Sequence, residues 1–106
     1  MKPGEFTKNV WKLARQIPPG KVTTYGNLAV VAGGHPMMAR MITNILSKAP
    51  DSDLLPFHRI VYSDGRVWLD PKSKKERLKL YIKEGIKLDH KNRIINFENI
   101  LYSFKL

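Results

Sequence analysis

Two breaks, "PPG" at residues 18–20 and "GGHP" at 33–36, constrain what this chain can fold into more than anything else in it. Proline lacks the N–H that a helix interior needs, and glycine takes up the positive φ at which helices stop. The breaks therefore cut the first half of the chain into three short helical pieces. The first is predicted from Phe6 to Ile17, where Phe6, Val10, Leu13, Ala14 and Ile17 recur at helical spacing and Thr7 can cap the start. "KVTT" at 21–24 reads as a short extended connector. The second helix runs from Tyr25 to Ala32, with Thr24 as its N-cap and Gly33 as its stop. The third opens at Pro36 and runs to about Lys48. A short helix, a glycine turn and a further helix suggest a helix-turn-helix.

The third piece carries an apolar stripe of Met38, Met41, Ile42, Ile45 and Leu46, with Arg40, Thr43, Asn44 and Ser47 opposite. Pattern alone fits an ordinary amphipathic helix with a wet side. It also fits a recognition helix, with short polar residues for close approach and one long cation. Charge favours the second reading. Nineteen Lys and Arg against nine Asp and Glu give a formal net charge of +10, and nucleic acid is the usual partner of so basic a small chain. A solvated or membrane-facing basic surface is the alternative.

Beyond residue 48, "APDSDLLP" is a loop. "HRIVYSDGRVWL" at 58–69 reads as a β-hairpin turning at Gly65. A fourth helix starts near Asp70 and Pro71, or at Ser73 with Glu76 as a capping box, and stops at Gly85. Leu78, Tyr81 and Ile82 are its expected core side, and Lys74, Lys75, Arg77, Lys79 and Lys83 its basic side. The tail "RIINFENILYSFKL" is apolar enough to pack on the body. The expected fold is mainly α: a winged-helix-like three-helix core with a helix-turn-helix and a small β-hairpin, in one domain over residues 1–106.

The 106 residues contain no cysteine, which excludes disulfides, thiolate metal sites and a cysteine acceptor. His35, His58 and His90 show no metal-ligand spacing. No paired carboxylates or nucleophile elbow suggest an enzyme, so neither a catalytic residue nor a cofactor is expected. With no apolar run of membrane-span length and no signal-peptide pattern at the N-terminus, a cytoplasmic location is expected, nucleoid-associated when bound to DNA.

"IPPGKVTTYGNLAVVAGGHPMMARMITNIL" followed by "LPFHRIVYSDGRV" resembles the DNA-binding domain of the O6-alkylguanine-DNA alkyltransferases. Those proteins transfer the alkyl group to the cysteine of a proline-cysteine-histidine-arginine sequence. The equivalent stretch here is Pro56, Phe57, His58 and Arg59, so the chain is more similar to the alkyltransferase-like proteins, which keep the fold without the cysteine. Most of those have tryptophan where Phe57 stands. The resemblance implies minor-groove docking by the helix-turn-helix, with Thr24, Ala39, Thr43 and Asn44 at the interface. It implies that Arg40 fills the base stack and that Tyr25 rotates the nucleotide outward. Pro56, Phe57, His58, Arg59, Trp68 and Leu69 would form the lesion pocket, with Phe57 as an apolar wall. Trp68 could be a lid, a core residue or a stacking surface, and packing in the core or wing is the preferred reading. Glu84 would brace the loop through Arg59. Two departures stand out: Thr43, followed by Asn44, lies where the family has a glycine that allows close approach, and Ala49 replaces a loop-bracing asparagine.

The function so implied is a non-enzymatic damage sensor. It binds double-stranded DNA containing O6-alkylguanine as a monomer, flips the base without alkyl transfer, and flags it to nucleotide excision repair proteins. A winged-helix regulator without lesion specificity is the alternative, and an enzyme using His58 is a third class.

Overall fold

A computed structural model describes residues 3–104. The first helix, α1, spans Pro3–Gln16, with Glu5 near its positive end and Arg15 near its negative end. It begins before Thr7, which is therefore an interior residue and not a cap. Phe6, Val10, Leu13 and Ala14 are buried along one face, and Ile17, just past the end, is buried with them. The strand β1 is only Thr23–Thr24, and α2 follows at Tyr25–Val31. Thr24 is the N-cap, its Oγ1 accepting from the Asn27 N–H at 3.0 Å.

The third predicted helix is two pieces. Pro36–Met41 winds as a 3-10 segment, and α3 proper is Ile42–Ser47. The tighter winding corrects the predicted stripe. Counted at 3.6 residues per turn, Met41 belongs with Ile42 and Ile45. Wound at three per turn, it comes out on the solvent side, 48% exposed. Ile42, Ile45 and Leu46 are buried as expected, and Met38 packs partly buried against them.

The sheet also differs from expectation. β2, Ile60–Val61, pairs in parallel with β1, with Thr23 opposite Ile60 and Thr24 opposite Val61. The run after Gly65 does not return along β2 as a regular hairpin. Two hydrogen bonds, Tyr62 N–H to Arg66 O and Gly65 N–H to Tyr62 O, both at 2.9 Å, close a turn around Gly65 at φ 87°. Residues 66 and 67 then pair with the segment near Asn92 and Arg93. Buried Val61 and Val67 satisfy an alternating pattern in either pairing, so the pattern could not choose the partner.

Helix α4 spans Lys74–Lys83, behind Ser73. The Ser73–Glu76 capping box is not formed; the Asp70 carbonyl accepts from Ser73 N–H at 3.0 Å and its carboxylate from Lys72 N–H at 3.3 Å. Tyr81 is buried and Leu78 half-buried, but Ile82 is 77% exposed, because a single buried tyrosine suffices to seat so short a helix. The tail packs on the body. Tyr102 and Phe104 lie against the α1–α2–α3 core, and Val22 is held by Ile100 O at 2.9 Å and by Tyr102 N–H at 2.7 Å. The last two residues of the predicted tail, 105 and 106, lie outside the described residues. A second apolar cluster of Val22, Val61, Val67, Tyr81, Ile86 and Ile94 sits under β2 and α4.

Candidate nucleic-acid interface

A cleft of about 580 Å³ opens between the start of α2, the 3-10 segment and the turn after β2. Thr24 caps α2 and so fixes Tyr25 at the helix's first position, on the cleft wall. Pro36 starts the 3-10 segment that carries Ala39 and Arg40 to the opposite lip, with Thr43 one turn further. Arg40 is exposed, and among the described residues it joins no ion pair. An unneutralised guanidinium beside a cleft is a ready contact for phosphate or base edges.

The remaining wall is aromatic. Tyr25 and Tyr62 have ring centroids 5.6 Å apart, tilted by 54°, and the Arg66 guanidinium lies 5.4 Å from the Tyr62 centroid. Burial pushes the Tyr25 phenol above its ordinary range, opposed by a hydrogen bond from Thr43, so it stays a neutral donor at physiological pH. Trp68 is 45% exposed and completes the wall. This corrects the core half of the preferred core-or-wing packing for Trp68. Arg77 holds it from behind, with the guanidinium 5.7 Å from the ring centroid and Nη1 donating to the Trp68 carbonyl at 2.9 Å. Flat apolar faces beside an exposed guanidinium suit a planar aromatic group.

The other expected residues are placed differently. Asn44 is exposed on α3 and is not part of the cleft wall. Leu69 is half-buried against the second core cluster. Phe57 packs partly buried against the first core and borders a separate cavity of about 150 Å³, with His58, Arg77 and Leu80. Pro56 and His58 are buried. Ala49, also buried, leaves its N–H to Leu46 O and its carbonyl to Ser52 N–H, so the loop is braced by backbone.

Behind this loop Glu84 is a hub. Its carboxylate accepts from Arg59 Nη2 at 2.9 Å and from the Gly20 N–H at 2.9 Å, and lies 2.5 Å from His58 Nε2. Arg59 also donates to the Ile17 carbonyl at 2.9 Å, and the Tyr81 hydroxyl donates to the His58 carbonyl at 2.7 Å. Burial alone would raise the Glu84 carboxyl; the Arg59, Gly20 and His58 bonds outweigh it and hold the pKa at about 2. Burial lowers His58 below its ordinary range despite Glu84, so the ring is neutral and its Nε2–H donates to the carboxylate. The arrangement is a clamp between α4, the loop and the end of α1.

Gly26, Pro36, Tyr62 and Ser63 also line the cleft, and no pattern in the sequence marks them as site residues. Tyr62 stands directly after β2, where a two-residue strand gives no periodicity from which to assign its face. Among the described residues no group of three or more His, Cys, Asp or Glu is gathered to hold a metal.

Residues 5–99 match the family model described as 6-O-methylguanine DNA methyltransferase, DNA binding domain. A protein of Escherichia coli (strain K12) named DNA base-flipping protein is 32% identical over 93 residues, covering 88% of this chain and 71% of that one. A methylated-DNA–protein-cysteine methyltransferase of Methanosarcina barkeri is 35% identical over 63 residues, 59% of this chain and 39% of its own. S. pombe Atl1, solved in complex with damaged DNA containing O6-carboxymethylguanine, shares the fold with a TM-score of 0.76 at 24% identity, over 97% of this chain and 99% of that one. With the family's fold present and no cysteine in its sequence, the chain belongs to the 6-O-methylguanine DNA methyltransferase DNA-binding domain family as a cysteine-free, alkyltransferase-like member.

Proposed function

We propose that this protein is a damage sensor that binds duplex DNA containing O6-alkylguanine, extrudes the damaged base into the cleft and holds it without transferring the alkyl group. The observation that carries the reading is that Tyr25 and the exposed Arg40 border one aromatic cleft in a chain with no cysteine to accept an alkyl group. Extruding a base costs a few kcal/mol, less for a poorly paired one, and stacking in an aromatic cleft offsets part of that cost. Arg40 is long enough to occupy the vacated place in the stack. The base-flipping name of the Escherichia coli relative and the damaged DNA bound by S. pombe Atl1 agree with this reading. A regulator indifferent to lesions has no use for a cleft of about 580 Å³ beside its docking helix.

In this reading the protein acts as a monomer on DNA in the cytoplasm, and the held lesion is then available to nucleotide excision proteins. The test is a titration at fixed salt with two duplexes that differ only by O6-methylguanine in place of guanine. The damaged duplex is expected to bind at least about tenfold tighter, with its methyl group still on the DNA afterwards. Tyr25→Ala and Arg40→Ala should abolish most of that preference while the melting temperature of the exposed Arg40 variant stays unchanged. Equal affinity for the two duplexes defeats the sensor reading and favours a plain DNA binder.

A further inference from the structure

The turn that gives the cleft Tyr62 and Ser63 continues away from it into a second, basic turn. Arg66 lies antiparallel to the stretch "DHKNR" at 89–93, opposite Arg93. Two backbone bonds fasten the two turns together, Ile94 N–H to Gly65 O at 3.0 Å and Val67 N–H to Asn92 O at 2.9 Å. The second turn is also held from within. The Asp89 carboxylate accepts from the Lys91 N–H at 2.8 Å and from the Arg93 N–H at 3.0 Å, and Asn92 takes the left-handed conformation at φ 61°. Lys91 and Arg93 are thus exposed cations on a fixed backbone that is joined directly to the cleft wall. One carboxylate faces two guanidiniums there. Asp64 Oδ2 accepts from Arg66 Nε at 2.8 Å but lies 3.9 Å from Arg93 Nη2. Arg66 has a further tie to the Tyr62 ring, 5.4 Å from its centroid, and so braces the cleft wall. Arg93, with the long contact alone to Asp64, is left able to meet an outside anion.

We propose that Lys91 and Arg93 form a phosphate-binding ridge that grips duplex DNA beside the cleft, separately from the segment that carries Arg40. This rests on the part of the reading above that seats a duplex over the cleft. Such a duplex carries a phosphate for about every 1.7 Å of its axis, counted over both strands, so a ridge adjoining the cleft meets the backbone. Asp64 and Asp89 are positioning residues here, since they fix the turns and touch no DNA. The ridge holds the duplex in register while a base is out of the stack. It reads no base, because phosphate contacts position a protein and carry no sequence information.

The experiment is a salt titration of binding to an undamaged duplex by the whole chain and its variants. Lys91→Ala and Arg93→Ala should each lower the log–log slope by about one unit, and Arg93→Lys, which keeps the charge, should retain it. Lys83→Ala removes the same charge from the far end of α4 and should leave the slope unchanged. The ratio of Kd for undamaged and O6-methylguanine duplexes should be the same in the ridge variants as in the unaltered chain. Both ridge side chains are exposed, so the melting temperature should not move. If Arg93→Ala does not fold, Lys91→Ala carries the same measurement. An unchanged slope in the folded variants overturns the ridge. An equal fall in Lys83→Ala also overturns it, since the effect would then be one of net charge. Equal affinity of the unaltered chain for the two duplexes strikes at the sensor reading and leaves the slopes on undamaged DNA to be read as before, so the two failures are told apart.

Discussion

Glu84 shows how much one side chain can organise. Its carboxylate holds α4 to the end of α1 through Arg59 and Gly20, and to the loop through His58. Replacing it with glutamine strands the half-buried Arg59 guanidinium. The expected cost is roughly 3 kcal/mol in urea unfolding at neutral pH. The pH dependence follows from the shifts. Glu84 titrates at about 2 in the fold against an ordinary 4.5, so its stabilisation is whole above about pH 4.5 and drains away as pH falls toward 2. His58 is lowered from an ordinary 6.5, so acid favours the unfolded chain as pH drops through that value as well. Glu84→Gln should therefore make the stability curve shallower below pH 4.5 and leave the loss that begins near 6.5. A variant with the full acid slope would assign that slope to other carboxylates.

At the scale of elements, the turn between α2 and the 3-10 segment decides where Arg40 points. Gly33 supplies φ 104°, whereas Gly34 is needed for closeness. A Cβ there would lie 2.6 Å from Met38 Sδ and 2.7 Å from Phe6 Cε1. Gly34→Ala should cost about 1–3 kcal/mol, because the core phenylalanine must shift. Gly4→Ala in α1, with nothing within 4 Å of its Cβ, should instead be neutral or slightly stabilising. Chemical denaturation of both variants tests the contrast, and equal effects would mean that the turn tolerates bulk. The breaks at 18–20 and 33–36 were legible because proline and glycine act locally. The 3-10 winding was not, since nothing in "PMMAR" distinguishes three residues per turn from 3.6. The partner of β2 was hidden for a related reason: a two-residue strand records burial but no address.

Over the whole molecule, the net charge of +10 is the broadest feature, and the sequence displays it in full. What composition hides is where the charge lies relative to the cleft. Lys72, Lys74 and Lys75 are exposed at the start of α4, next to the Arg77 that supports Trp68. Lys74→Ala with Lys75→Ala should lower the log–log salt slope of duplex binding by about two units, alike for damaged and undamaged DNA. An unchanged slope would remove this end of α4 from the path of the phosphates. The site was legible in the same uneven way. Tyr25 and Arg40 stand out because the motif around each is local and specific. Tyr62 and the exposure of Trp68 depend on how the chain crosses itself, which no short window of sequence contains.

That crossing also fastens the tail. Val22 is gripped on both sides, by Ile100 O and by the Tyr102 N–H, two residues before the cap of the helix that presents Tyr25. The tail is therefore a buckle on the connector. In hydrogen exchange the amides of Val22 and Tyr102 should open as one unit, at one rate. Whatever loosens residues 100–102 should then unsettle a cleft wall made from the other end of the chain.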